Sequence, residues 1–100
     1  MTDQQQQMLY ALNDLSLTTQ ILMDALSNND SDKSHEAVSV LLMQGLGHLG
    51  ADSPAMQQFF PVFDNIKRYI DADDLATALG QTRIFERQLK EIVEIVRNSG

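Results

Sequence analysis

The stretch MLYALNDLSLTTQILMDAL, residues 8–26, decides the fold class. Within it Met8, Leu12, Leu15, Thr19, Leu22 and Leu26 recur at steps of four and three residues. On a helix turning about 100° per residue, those positions fall on one narrow stripe, widened by Leu9 and Met23. A half-buried strand would alternate apolar and polar residues, and this stretch does not. The spacing predicts an amphipathic helix over about 3–27. Gln4 to Gln7 open it and are expected to make a frayed, polar first turn.

The flanking sequence supplies three more helices. Ser27-Asn28-Asn29-Asp30-Ser31-Asp32 reads as a loop, because these side chains bond their own backbone. A second helix is predicted over about 33–49, capped by Asp32 or Ser34, with Glu36 in its first turn. Val38, Leu41, Leu42, Leu46 and Leu49 would be its buried face. Gly45 and Gly47 lie inside it, each costing up to about 1 kcal/mol against Ala. They imply either close helix contact or an irregular last turn, and Gly50 is a natural stop.

Asp52-Ser53-Pro54 opens a third helix with proline near its first turn. Pro61 lacks a donor and disfavours a helical Phe60, so a kink or break is expected between a helix at 53–60 and one at 62–70. Phe59, Phe60, Phe63, Ile66, Tyr69 and Ile70 gather here and should seed the core. Asp71 or Asp73 would cap the last helix, which runs to about Asn98. Its predicted core stripe is Leu75, Leu79, Thr82, Phe85, Leu89, Ile92, Val93 and Val96. Glu86–Lys90, Arg87–Glu91 and Lys90–Glu94 are opposite charges four residues apart on its surface. Short links favour antiparallel neighbours. The expected fold is all-α: a single domain, 1–100, forming an up-down bundle of four helices. Its third helix is broken or kinked at Pro61, the helices pair as two packed hairpins, and residues 1–5 and 98–100 fray.

Composition excludes several functions. The chain has 100 residues and no cysteine, so neither a disulfide framework nor a thiolate site is available. Apolar residues make up 43%, too many for a disordered chain. No signal-peptide pattern opens the sequence and no run reaches the ~20 apolar residues of a membrane span, so a cytoplasmic location is expected. His35 and His48 lack further ligands at metal-site spacing. Asp30, Asp32, Ser34 and Glu36 alternate like the start of a calcium loop, but His35 and Leu41 stand where glycine and glutamate are required. Asp71, Asp73 and Asp74 fail in the same way. Gly45-Leu46-Gly47-His48-Leu49-Gly50 ends a helix instead of linking strand to helix, so it does not read as a dinucleotide fingerprint. No serine sits in a nucleophile elbow. The expectation is no catalysis, no cofactor and no metal. A helix-turn-helix drawn over 34–60 would present Gln57 and Gln58 but no cation, so neither direct nucleic-acid binding nor membrane binding is expected.

The remaining signal is apolar residues on the wrong face. Tyr10, Leu17 and Ile21 fall opposite the core stripe of the first helix, flanked by Asp14 and Asp24. Ile84 and Ile95 fall opposite the core stripe of the last helix, and Val40 and Met43 lie off that of the second. Residues 1–66 hold eight acids and one base, while 67–100 hold six of each, so the net charge of -7 sits on the first two thirds. Tyr10, Asp14, Leu17, Ile21, Asp24, Ile84 and Ile95 are therefore the candidate partner-binding residues. The expected function is a small helical interaction protein (a regulator, adaptor or assembly factor), homodimeric or bound to a basic-surfaced protein. An acidic inhibitor or nucleic-acid-mimicking decoy, such as phages encode, and an export or folding chaperone are the alternatives.

Overall fold

A computed structural model describes residues 2–99 of the chain. Four helices follow in order: α1 (Asp3–Ser27), α2 (Ser31–Leu49), α3 (Pro54–Asp71) and α4 (Leu75–Asn98). α1 packs against α2 and α4, and α3 packs against the same two, so α1 and α3 stand at opposite corners of a four-helix bundle. Among the described residues there is no strand.

The stripe of α1 faces inward as its spacing requires. Leu12, Leu15, Thr19, Leu22 and Leu26 are buried, and Met8 packs at the edge of the core. The Thr19 hydroxyl donates to the Leu15 carbonyl at 2.6 Å, so its burial leaves no polar atom unpaired. A capping box starts the helix: Gln5 N donates to Thr2 Oγ1 at 3.2 Å and Thr2 N donates to Gln5 Oε1 at 2.8 Å. Of the ends expected to fray, Met1 and Gly100 lie outside the described residues, Asp3 to Gln5 form this capped turn, and Asn98 is the last residue of α4.

α2 ends at Leu49 with Gly50 as its cap, as expected, but departs from expectation at its start and on its buried face. It begins at Ser31, and the cap is Asp30, whose carboxylate accepts from Lys33 N at 3.0 Å. Ser34, expected as a cap, is buried, and its hydroxyl donates to the Asp30 carbonyl at 2.7 Å. Leu46, expected in the core, is 40% exposed. Gly45 takes the inward position instead, and a Cβ there would lie 2.8 Å from Sδ of Met56 in α3. Close helix contact is thus the reason for this glycine.

A break at Pro61 does not occur, since α3 is one helix of 18 residues with Pro61 inside it. Gln57 and Pro61 are both exposed, so the carbonyl that loses its donor is on the solvent side. Phe59 and Phe63, four residues apart across the proline, are both buried and hold the two halves to one core. Phe85 of α4 packs edge-on to each, with ring centroids 5.1 Å from Phe59 and 5.0 Å from Phe63.

The cap of α4 is Asp74, which accepts from Thr77 N at 3.2 Å, and not Asp71 or Asp73. Asp71 ends α3, and Asp73 carries a left-handed φ of 59°. The α1–α2 turn has the same form, with Asn29 at φ 56° and Asp30 as cap. In each turn the capping aspartate's N–H reaches back to the preceding helix: Asp30 to Ala25 O at 2.9 Å, and Asp74 to Tyr69 O at 2.8 Å. The two hairpins are therefore closed by matching backbone turns.

Candidate functional site

The outer face of α1 carries the candidate site. Tyr10, Leu17 and Ile21 are 69%, 58% and 60% exposed, so the described residues leave most of each side chain uncovered. They stand there because the same helix has already committed its other face to the core, a half-turn away.

Two side-chain ties set the neighbourhood of this face. Thr18 Oγ1 donates to Gln44 Oε1 at 2.7 Å, and His48 Nε2 lies 3.0 Å from Asp14 Oδ2. Both fit one antiparallel register of α1 on α2, which brings Val40 level with residues 21 and 22. Val40 stands one turn from Gln44, on the flank of α2 nearest α1, and it is partly exposed. Val40 thus extends the apolar face of α1 at its Ile21 end. Asp14 is not a free rim carboxylate, since His48 takes it. Asp24 is exposed, and among the described residues it has no ion pair.

Ile84 and Ile95 belong to a different surface. Ile95 lines a hollow between α3 and α4 with Gln58, Val62 and Ile92. Ile84 stands about three turns before it, near the same azimuth. One stretch of the outer boundary between α4 and α1 is polar. Gln20, Asp24 and Ser27 face Arg83, Glu86, Arg87 and Lys90 across a groove. Gln20 Nε2 donates to Glu86 Oε2, and Lys90 Nζ lies 3.2 Å from Glu86 Oε1. Of the helical ion pairs expected on α4, Glu86–Lys90 forms among the described residues. The seven candidate residues therefore divide. Tyr10, Asp14, Leu17, Ile21 and Asp24 share α1, while Ile84 and Ile95 lie beyond a charged groove.

A second apolar area runs between α2 and α3. Met43 is 71% exposed and Phe60 is half exposed. Phe60 lines two adjoining hollows, one with Leu42, Met43 and Phe63 and the other with Leu46, Met56 and Pro61. Met43 is off the core stripe in sequence, but Leu46 and Phe60 look like core residues by type and spacing. Gly45 takes the inward position beside Met56 and Phe63, and Leu46, the next residue round the helix, lies toward solvent.

Among the described residues, no group of three or more His, Cys, Asp or Glu comes together as a metal site would need. His35 Nε2 lies 3.4 Å from Asp71 Oδ1, so each histidine meets an aspartate of a neighbouring helix. Among the described residues, no helix is long and apolar enough to cross a membrane.

No protein-family model matches this chain, and neither a curated protein nor a solved structure matches it.

Proposed function

We propose that the chain is a non-catalytic helical interaction module that works as a homodimer through the outer face of α1. The supporting observation is that Tyr10, Leu17 and Ile21 are all exposed by more than half along one helix face, with Val40 at its edge. Single exposed apolar residues are ordinary, but three on one face of a helix already packed on its other side favour a partner that covers them. A second copy is the simplest cover, because the same row serves both partners.

Gel filtration with light scattering tests this reading. The expected mass is about twice 11.2 kDa at micromolar concentration. Leu17→Asp and Ile21→Asp should each return the mass to 11.2 kDa with unchanged helicity by circular dichroism. A monomer mass that the variants do not alter would end the dimer reading.

The acidic decoy remains a second reading. α1 holds Asp3, Asp14 and Asp24 and no lysine or arginine. Binding of this kind would weaken steeply with salt. The row Arg83, Arg87 and Lys90 on the neighbouring α4 breaks the acidic surface beside it and favours the first reading.

A further inference from the structure

We infer that Met43 is the oxidation site of this chain: hydrogen peroxide converts its thioether to the sulfoxide with the bundle intact, and the apolar hollow between α2 and α3 becomes polar. The inference stands apart from the dimer reading, because Met43 lines the α2–α3 hollow and not the outer face of α1.

Access to the sulfur selects the site. The sequence has no cysteine, so methionine carries all of its sulfur. Met43 is 71% exposed, whereas Met56 is 1% exposed, and Met8 and Met23 are partly buried. In the reaction the sulfur lone pair attacks one oxygen of the peroxide. An S–O bond forms as the O–O bond breaks, and sulfur loses two electrons to the peroxide. The proton on the transferred oxygen passes to the departing hydroxide, which leaves as water. Peroxide must reach the sulfur for this to happen, so Met56 reacts only when the core opens locally.

The fold carries its own control for what a polar group does at position 43. The two hairpins correspond at an offset of 44 residues, the separation of the capping aspartates Asp30 and Asp74. The left-handed Asn29 and Asp73 match at this offset, and so do the buried pairs Leu22–Ile66 and Leu41–Phe85. The furrow between α2 and α3 therefore has a counterpart between α4 and α1. Met43 corresponds to Arg87, which is exposed and lines that counterpart. One furrow holds a guanidinium where the other holds a thioether, so the bundle does not need an apolar group at this station. Met56 corresponds to Leu12, and both are buried. A sulfoxide at Met56 would set a polar group in the core, which costs stability, whereas at Met43 water solvates it.

The effect falls on the hollow. Met43 lines it with Leu42, Phe60 and Phe63. A thioether is a soft apolar group and a sulfoxide is a polar one, so oxidation removes part of the apolar surface there. Methionine sulfoxide reductases reverse the step, which makes the change a switch.

Limited treatment of the full chain with hydrogen peroxide, followed by peptide mapping with fragmentation, tests the site. Met43 should gain oxygen faster than Met8 and Met23 by about twofold or more, and faster than Met56 by about tenfold or more. Met1 lies outside the described residues and is scored separately. Met43→Leu, which keeps the volume, should lose the fast phase. Protein oxidised at Met43, and Met43→Gln as its polar mimic, should each melt within about 3 °C of the parent. Fluorescence of the dye 1-anilinonaphthalene-8-sulfonate should fall on oxidation of the parent, hold in Met43→Leu at the same dose, and recover after treatment with reductases for both sulfoxide epimers.

Faster oxidation of Met8, Met23 or Met56 would overturn the assignment. A larger fall in melting temperature in either the oxidised protein or Met43→Gln would overturn the tolerance of position 43. Dye fluorescence that oxidation of Met43 leaves unchanged would overturn the change in the hollow.

Discussion

Gly45 of α2 and Met56 of α3 touch where a side chain would not fit: a Cβ on Gly45 would lie 2.8 Å from Sδ of Met56 and 3.2 Å from its Cε. Met56 is buried, so the flexible end of its side chain would have to shift within the core to make room. Gly47, two residues on, and Gly80 of α4 have nothing within 4 Å of such a Cβ. The three glycines share a helical backbone and differ only in surroundings. Gly47→Ala and Gly80→Ala should each stabilise the protein by about 0.5–1 kcal/mol, the helix-propensity gain alone. Gly45→Ala should lose that gain to overpacking, and Gly45→Leu should cost about 2 kcal/mol or more. Urea denaturation of the four variants checks the order. A Gly45→Ala as stabilising as Gly47→Ala would show that Met56 yields freely.

Pro61 should be replaceable at a profit in stability. It sits in the interior of α3, exposed, and removes a bond to the Gln57 carbonyl. Proline inside a helix costs about 3 kcal/mol against Ala, less what it saves in unfolded-chain entropy. Pro61→Ala should therefore stabilise by about 1–2 kcal/mol, and a rise in melting temperature of several degrees would register it. No change would mean that the helix had already absorbed the lost bond.

The fold was legible where a helix has one face to bury. The stripe of α1 follows from residues 8–26 alone, because the spacing of Leu12, Leu15, Leu22 and Leu26 leaves one inward direction. Local chemistry was less legible where several residues could do one job. Asp30, Asp32 and Ser34 can all cap, and Asp71, Asp73 and Asp74 likewise, so the choice fell to tertiary packing. The candidate site divides for a similar reason. Sequence periodicity shows that Tyr10, Leu17, Ile21, Ile84 and Ile95 oppose their own helix's core. It does not show which neighbour lies to the left or right, and that decides whether two outer rows merge. Here Gln20 and Glu86 join α1 to α4 through a polar groove between the rows. The α2–α3 hollow at Phe60 was hidden because Leu46 and Phe60 read as core residues by type and spacing, and only the packing of α2 on α3 shows them exposed.

Phe85 and Phe60 should respond very unequally to truncation. Phe85 is fully buried and edge-on to Phe59 and Phe63, whereas Phe60 is half exposed beside Met43 and Leu46. Phe85→Ala should cost about 3–5 kcal/mol, a large share of a small domain's stability, and so sharply reduce helicity at 37 °C. Phe60→Ala should stay within about 1 kcal/mol of the parent, since half its ring is already in water. Circular dichroism on thermal melting separates the two. A loss at Phe60 matching that at Phe85 would mean that the α2–α3 hollow closes in solution.

The matched turns at Asn29 and Asp73 predict matched gains on substitution by glycine. Both residues hold a left-handed φ, 56° and 59°, which strains any side chain with a Cβ. Each precedes a capping aspartate whose own N–H returns to the preceding helix. Glycine removes the Cβ penalty but has a more flexible unfolded state, so the net gain is about 0.5–1 kcal/mol per site. Asn is the better natural occupant of this conformation, so Asp73→Gly should gain more than Asn29→Gly. The turns close separate hairpins, and the double variant should be additive to within about 0.5 kcal/mol. Chemical denaturation of both single variants and the double would measure this, and a destabilised Asp73→Gly would show that the Asp73 carboxylate contributes more than its backbone strain costs.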